Sequence, residues 1–309
     1  MQAQPATRSS ASDLMLRQRL SALARTLGGA RAGDVQAIHQ ARVATRRLRE
    51  ASTVIASRAT ARKLRRVARR LTRALGPVRE LDVALQMIDE LQQSGEAPQG
   101  AAICLRQLMS AERRALHADA VKEIDRGAFD RLRRRLLAKI GTRRLTKETA
   151  AAPGRRDVQT ARRLVRRAER LRAAMESAAG IYLPDRLHEV RIAVKKLRYA
   201  LEVARQVGSR PGRARTTSKS LRSVNGQLAA LKRIQDLLGR MHDLEVLIAR
   251  TRAVQASPHS PDLRLSGELD QLVRRLETEC RLLHGHYMAD RGQLVEICDR
   301  VEAMAARAA

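Results

Sequence analysis

The sequence predicts an all-α protein, and three observations lead to that prediction. The apolar fraction of 44% comes mainly from Ala, Leu, Val and Ile, whereas the chain has no Trp, one Phe and three Tyr. Ala, Leu and Arg favour helices, and the β-branched and aromatic clusters typical of strands are scarce. Apolar residues recur at helical spacing, and strand-like alternation is absent from the sequence. The length of 309 residues allows one large domain or two smaller ones.

Caps and breaks delimit the predicted helices of the first half. Ser12-Asp13 opens the first helix, the pair Gly28-Gly29 ends it, and Asp34 caps the next, which runs to about Ala56. The pair Gly76-Pro77 predicts a break, because proline suits the first position of a new helix. The predicted helices cover residues 12–27, 35–56, 60–75, 78–93, 97–124 and 128–141.

The second half follows a predicted linker, "TKETAAAPGRR", at residues 146–156. Asp185 marks the start of one helix, and the Gly, Pro, Ser and Thr content of residues 208–220 predicts a loop after it. The predicted helices cover residues 157–179, 185–207, 221–238, 240–256, 262–288 and 290–307. The predicted organisation is a disordered N-terminus, a first helical bundle, the linker and a second helical bundle, at residues 1–11, 12–145, 146–156 and 157–309.

Two pairs of segments form an internal repeat. "IHQARVATRRLRE" at 38–50 has nearly the same order of residue types as "LHEVRIAVKKLRY" at 187–199. Further on, "LGPVRELDVAL" at 75–85 aligns with "LGRMHDLEVLI" at 238–248. Two repeats are too few for a solenoid. We therefore expect two helical halves of similar design, with one insertion near residues 208–220.

Each copy of the basic motif forms an amphipathic helix when residues are placed about 100° apart. In the first copy, small and apolar residues such as Ala41, Ala44 and Leu48 form the packing face, and Val190, Ala193 and Leu197 do so in the second. The opposite faces are cationic. They carry His39, Arg42, Arg46 and Arg49, flanked by Arg47, and His188, Arg191, Lys195 and Arg198, flanked by Lys196.

Ordinary solvated helix faces mix acids and bases, because such pairs stabilise a helix by a few tenths of a kcal/mol. Here the cations share a face almost without acids, so the alternative is a surface that binds phosphate through guanidinium forks. Two further arginine rows occur, and facing rows of this kind would form a positive groove. They are Arg62, Arg66, Arg69 and Arg73, and Arg162, Arg163, Arg166 and Arg170.

The charge balance of the whole chain also points to a polyanionic partner. Lys and Arg total 62 against 32 acids, a formal net charge of +30, and only eight of the 62 are lysine. A GC-rich genome would favour Arg over Lys, but it would not create the imbalance of sign. An excess of this size promotes association with polyanions. The candidate partners are nucleic acid, inorganic polyphosphate and an anionic membrane surface.

Other features indicate the compartment. Cys104, Cys280 and Cys298 are too few for a disulfide framework and fit a reducing environment, in which each serves as a small core residue. No stretch approaches the 18 consecutive apolar residues of a membrane span, and the N-terminus lacks an apolar signal core. We expect a cytoplasmic protein.

The remaining polar motifs give weaker indications. His39 and His188 could bind an anion once protonated, or each could anchor a neighbouring group. No Cys or His lies at ligand spacing beside them, so the sequence predicts no metal site and no cofactor. The acidic pairs Glu80/Asp82 and Asp243/Glu245 are interpreted as helix caps and tethers for arginines, not as acid–base catalysts.

The segments "HQARVATRRLR", "LGPVRELDV", "LHEVRIAVKKLRY" and "LKRIQDLLGRMHDLEV" resemble, in that order, the CHAD family, the conserved histidine α-helical domain. The resemblance covers residues 12–305. It implies two helical bundles related by pseudo-twofold symmetry around a basic central cavity that binds inorganic polyphosphate, and an association with polyphosphate granules. With Arg69 and Arg73 added from the neighbouring row, the predicted binding residues are His39, Arg42, Arg46, Arg47, Arg49, Arg69, Arg73, His188, Arg191, Lys195, Lys196, Arg198, Tyr199 and Lys232.

This chain departs from the family pattern at two places. Arg79-Glu80 replaces the usual Arg-Asp, and His242-Asp243 replaces Asn-Asp, so the acid is kept in both. Some relatives carry an N-terminal triphosphatase domain with alternating glutamates. No such segment precedes residue 38, so that activity is expected to be absent.

The leading hypothesis is therefore a non-enzymatic polyphosphate-binding protein. The alternative is an RNA- or DNA-binding protein that uses the same basic surface, and the charge predicts some nonspecific nucleic-acid affinity in either case. Single-strand binders usually present aromatic stacking platforms, and this chain has few aromatic residues. A phosphohydrolase or phosphotransferase is the third hypothesis, but no P-loop or glycine-rich phosphate cradle is visible.

Overall fold

A computed structural model describes residues 11–141, 153–208, 218–257 and 262–306. These residues form helices and short connections with no strand, which confirms the predicted all-α class. The helices, numbered in chain order, are α1 (Ala11–Arg31), α2 (Val35–Ile55), α3 (Arg58–Gln93), α4 (Gln99–Asp125), α5 (Ala128–Gly141), α6 (Pro153–Ser177), α7 (Pro184–Gly208), α8 (Ser218–Gln255) and α9 (Leu263–Ala306).

The junction between α1 and α2 lies later than predicted. Asp34 caps α2 as expected, because its side chain accepts a hydrogen bond from the Ala37 backbone N–H at 2.5 Å. The expected stop at Gly28-Gly29 was wrong, since α1 continues to Arg31 and the turn uses Gly33 with φ +86°. Gly29 is a packing residue: a Cβ there would lie 2.7 Å from the Cβ of Ala37.

The predicted break at Gly76-Pro77 was also wrong, because α3 runs unbroken through both residues. Proline inside a helix removes the N–H that would bond the carbonyl four residues earlier, here that of Arg73. Burial offsets this loss, since Leu75, Val78 and Leu81 continue one buried stripe across the site. The predicted interruptions near residues 239 and 289 are wrong as well, since α8 and α9 are continuous there.

Gly76 allows a side chain from the neighbouring helix to approach the backbone of α3. The guanidinium of Arg42 on α2 lies against it and donates from Nη1 to the carbonyl of Thr72 at 3.0 Å. A Cβ at Gly76 would lie 2.9 Å from that Nη1 atom. The absence of a side chain at Gly76 therefore leaves room for this contact between two helices.

Three apolar cores hold the helices together. The first joins α1 to α5, around residues such as Leu20, Leu48 and Leu75, and the second joins α6 to α9, around residues such as Leu171 and Leu197. The third core is shared by the two halves, because it combines the C-terminal parts of α3 and α8 with α4 and α9. The unbroken α3 and α8 thus each contribute to their own core and to the shared one.

Contacts between the halves pair equivalent helices. The repeat partners α2 and α7 contact each other, and so do the repeat partners α3 and α8. Such contacts are those that a twofold arrangement requires, and the pseudo-twofold symmetry itself stays a prediction. α4 packs across to α9. On α3, Asp82 is buried and accepts from Arg113 Nε of α4 at 2.5 Å, which fixes α4 beside the shared core.

Several sequence predictions fall partly outside the described residues. Residues 1–10 of the predicted disordered N-terminus lie outside them, and Ala11 begins α1. The predicted linker at 146–156 lies outside them up to residue 152, and α6 begins at Pro153. Among the helices that the structure describes, none is long and apolar enough to cross a bilayer.

The contact at Gly76 gives a testable prediction. Gly285 on α9 is exposed, and nothing lies within 4 Å of a Cβ built there, so Gly285→Ala should raise the unfolding free energy by about 0.5–1 kcal/mol. Gly76→Ala should gain nothing or lose stability, because the new methyl group displaces Arg42 from the Thr72 carbonyl. Urea unfolding of both variants measures this difference, and equal gains would contradict the assigned role of Gly76.

Candidate anion-binding site

The two basic helices meet around a cavity of about 410 Å³, here called the central cavity. α2 and α7 supply one part of its lining, and α3 and α8 supply the rest through their repeated segments around Gly76 and Gly239. Its charged lining residues comprise six bases and three acids, apart from two histidines. They are Arg42, Arg46, Arg79, Arg191, Lys195 and Arg240, with Glu80, Asp236 and Asp243.

The repeat produces the same contact on both sides of the cavity. In the second half, Arg191 of α7 lies beside Gly239 of α8, where a Cβ would be 3.9 Å from its Nε atom. Arg42 and Gly76 form the corresponding pair in the first half. Each basic motif therefore places one arginine against the glycine of the next repeated segment. The Nε atom of Arg191 is buried and has no hydrogen-bond partner among the described residues.

The acids of the cavity are engaged with basic residues at its edge. Glu80 accepts from Arg250 at 3.3 Å, and Asp236 accepts from Lys232 at 2.7 Å. Asp243 lies 3.9 Å from Arg191. Within the described part of the chain, four of the lining bases form no ion pair, so the cavity keeps an excess of positive charge. They are Arg42, Arg46, Arg79 and Lys195.

Burial and repulsion from neighbouring cations lower the pKa values of Arg42 and Lys195. Burial, followed by the charges of Arg46 and Arg79, lowers the pKa of Arg42 to about 10. Burial, followed by the charge of Arg191, lowers the pKa of Lys195 to about 6. The Lys195 amine is therefore neutral at pH 7 without a ligand. An anion in the cavity would relieve the repulsion and favour the protonated amine.

Two histidines, His39 and His242, line the same cavity, and His188 contacts His242. The Nδ1 atoms of His188 and His242 are 3.1 Å apart, so one ring donates a proton and the other accepts it. Burial, then Arg191, lowers the pKa of His242 to about 4. Burial is also the main cause of the lowered pKa values of His39 and His188. The free protein thus has a histidine pair that a bound anion would help to protonate.

The structure brings only part of the predicted set to the central cavity. Five predicted residues line it, and His188 adjoins it through His242. Arg47 lines a different cavity, between α1 and α2, and lies 3.6 Å from Glu202. Lys232 is at the rim, bound to Asp236. The five lining residues are His39, Arg42, Arg46, Arg191 and Lys195.

Arg198 and Tyr199 are committed to contacts within the protein. Arg198 donates to Glu202 at 2.6 Å and to Gln235 at 3.0 Å, and its guanidinium lies 4.6 Å from the centre of the Tyr199 ring. The Tyr199 side chain is buried, with 5% of the residue exposed. Gln235 lines the cavity, so Arg198 and Tyr199 form a layer of side chains next to the lining residues.

The other predicted residues lie farther along the same helices, outside the lining of the central cavity. Arg49 is within electrostatic reach of Arg69, and Lys196 is within reach of Arg167 on α6. Arg73 is exposed on α3. The predicted set is thus spread over more than one surface.

Among the arginines, lysine and histidines of the lining, three were not in the predicted set: Arg79, Arg240 and His242. The repeat contained a signal for two of them. When "LGPVRELDVAL" is aligned with "LGRMHDLEVLI", Arg79 falls opposite His242, and the adjacent acids Glu80 and Asp243 also correspond. All four positions line the cavity. The alignment of the two copies could therefore have pointed to Arg79 and His242.

Other candidate sites receive less support. Among the described residues, no group of three or more His, Cys, Asp or Glu is arranged to hold a metal ion. Cys280 and Cys298 are buried in the cores, as predicted, and Cys104 is partly exposed. All three are free thiols.

Comparisons with known proteins agree with this architecture. The CHAD domain from the plant Ricinus communis is 22% identical with a TM-score of 0.55, covering 98% of this chain and 96% of that one. PptA from Streptomyces chartreusis is 16% identical with a TM-score of 0.63, covering 93% and 100%. At these identities the likeness concerns the fold alone. No curated protein matches the chain. The family model for the CHAD domain matches residues 14–252, more than half of the sequence, and the chain therefore belongs to the CHAD domain family.

Proposed function

We propose that this protein binds inorganic polyphosphate in the central cavity without chemically changing it. The observation that carries the proposal is the meeting of both basic motifs in one cavity whose bases outnumber its acids. Membership of the CHAD domain family supports the same ligand class. In the cell, binding of this kind would attach the protein to polyphosphate granules.

Polyphosphate suits the cavity because of its charge density and flexibility. Arg42 and Arg191 present planar guanidinium groups that bind phosphate oxygens in pairs, and Lys195 adds a point charge. The lining bases come from α2, α3, α7 and α8, so an unbranched flexible anion can contact them in turn. The cavity carboxylates are placed to hold arginines, as with Glu80 and Arg250, which favours binding over acid–base chemistry.

The placement of aromatic residues favours polyphosphate over nucleic acid. Phe129, Tyr199 and Tyr287 are buried, and the Tyr182 hydroxyl donates to Glu245. Base stacking, which supplies about 1–3 kcal/mol per base in single-strand binding, needs exposed rings. Nucleic acid would therefore bind this protein through its phosphates alone, with steep salt dependence.

Charge reversal in the cavity tests the proposal. Arg42→Glu with Arg191→Glu should weaken long-chain polyphosphate binding by about 100-fold or more, because two charge-assisted contacts become repulsions. The matched control is Arg126→Glu with Arg264→Glu, which changes the net charge equally at exposed positions. Isothermal titration measures affinity, and circular dichroism should show unchanged helicity. Equal affinity in the two double variants would refute the central cavity as the binding site.

Competition between ligands separates polyphosphate from nucleic acid. We expect tRNA and duplex DNA, added at equal phosphate concentration and physiological salt, to leave most of a labelled long-chain polyphosphate bound. The physical reason is that sugars separate the phosphates within each nucleic-acid strand, whereas the phosphates of polyphosphate are linked directly, and that nucleic acid finds no exposed aromatic platform here. Displacement of polyphosphate by tRNA or by DNA under these conditions would favour the nucleic-acid alternative.

Binding should also be linked to pH through Lys195. The pKa of its amine is about 6 in the free protein, and a bound phosphate would raise it. Between the two pKa values the complex holds one more proton than the free protein, so affinity should fall as pH rises from about 6.5 to 8. The limit is about tenfold per pH unit for each proton taken up.

Lys195→Arg provides the control for this pH dependence. The arginine stays charged over the same pH range, so the affinity of the variant should depend less steeply on pH. Protonation of the ligand itself affects both proteins alike. Titrations at several pH values measure the slopes. Equal slopes for the wild type and Lys195→Arg would show that Lys195 takes up no proton on binding.

A further inference from the structure

A second concentration of positive charge lies beyond the central cavity, where α2, α3, α6 and α7 approach one another. At its centre is the carboxylate of Glu50 on α2, so we name it the Glu50 cluster. One of its bases comes from α2, one from α3, three from α6 and one from α7. They are Arg49, Arg69, Arg163, Arg167, Arg170 and Lys196.

The Glu50 carboxylate is held by two guanidinium groups of α6. Arg163 donates to Glu50 Oε2, and Arg167 Nη2 lies 3.7 Å from the same oxygen. Arg163 also donates to the hydroxyl of Thr53, one turn further along α2. The side chains of Glu50 and Arg167 are only 15% and 16% exposed. Two converging guanidinium groups around one anionic oxygen are the arrangement that also binds phosphate.

One carboxylate does not neutralise this cluster. The charge of Glu50 acts on Arg49, Arg167 and Lys196, yet the pKa of each is lowered, first by burial and then by the neighbouring cations. Arg170 and Lys196 are exposed to solvent. The cluster thus keeps accessible positive charge after its internal ion pairs are formed, as the central cavity does.

Arg46 connects the two charged regions. Its charge acts on Arg191 and Lys195 in the central cavity and on Arg49 in the Glu50 cluster. Arg42, Arg46 and Arg49 follow one another at helical spacing on α2, so the distance along the helix axis from Arg42 to Arg49 is about 10 Å. An anion leaving the central cavity along α2 therefore meets cations continuously.

We infer that the Glu50 cluster is a second phosphate-binding site, which takes the continuation of a polyphosphate chain held in the central cavity. This inference rests on the proposed function and adds a preference for long chains over short ones. When one chain fills both sites, the loss of translational and rotational entropy on association occurs only once. A long ligand therefore gains affinity that a short one cannot. In the free protein Glu50 occupies the place of a phosphate oxygen, and a long chain displaces it.

Two exposed members of the cluster allow a test that spares the fold. Arg170→Glu with Lys196→Glu should keep the affinity for tripolyphosphate within about twofold, because this short ligand fits the central cavity alone. The affinity for long-chain polyphosphate should fall by about tenfold or more. The control is again Arg126→Glu with Arg264→Glu, which has the same net charge. Titrations with both ligands give the ratio of long-chain to short-chain affinity for each protein.

The possible outcomes separate this inference from the proposed function. A ratio that falls in Arg170→Glu with Lys196→Glu, but not in the control, supports the second site. If the wild type binds both ligands and the ratio is the same in all three proteins, the second site is refuted and binding in the central cavity stands. If the wild type binds neither ligand, the proposed function fails, and this inference fails with it.

Removing the carboxylate of Glu50 should change the long-chain affinity in the opposite direction. Glu50→Gln should raise the long-chain affinity several-fold and leave the tripolyphosphate affinity unchanged, because the guanidinium groups of Arg163 and Arg167 no longer bind an internal anion. The variant should melt at a lower temperature when free and regain stability with long-chain polyphosphate bound. A merely structural ion pair would lower the melting temperature without raising affinity, and that result would contradict displacement of Glu50.

Discussion

Repulsion between the cations of α2 and α7 is the constraint on which the rest of this structure depends. Arg42, Arg46, Arg191 and Lys195 are brought into one cavity with too few carboxylates to neutralise them, and the lowered pKa values of Arg42 and Lys195 express the cost. The packing of three apolar cores offsets that cost. The shared core is decisive, because it holds the halves together close to the place where their charges oppose contact.

The acidic residues are distributed in a way that supports this arrangement. Where the halves join at the edge of the cavity, cations are paired across helices: Arg240 with Glu90 and Glu279, and Arg250 with Glu80 and Glu112. These exposed or half-exposed pairs each add little stability, but they balance positive and negative charge where the two halves meet. Charge is thus balanced where the two halves meet, whereas the cavity keeps an excess of positive charge. This excess makes the site complementary to a polyanion.

Binding at such a site would be coupled to several properties of the free protein. The neutral amine of Lys195, the His188–His242 pair and the internal ion pairs of Glu50 are all states that an external phosphate would change. The repulsion stored in the free cavity would be released on binding, which links affinity to pH and to salt. A polyphosphate chain extending along α2 would be bound in the same way in the central cavity and in the Glu50 cluster, by cations that repel one another in the free protein.

Local information in the sequence determined the helical class, the Asp34 cap and the identity of the cationic residues, because propensity, capping and periodicity act within a few turns of one helix. The tertiary structure alone decided that α3 and α8 continue past Gly76 and Gly239, since each helix extends from the core of its own half into the shared core. It also decided which basic residues line the cavity, which surround Glu50 and which, like Arg198, contact the protein itself. Those outcomes depend on packing between helices far apart in the chain, which no local pattern encodes.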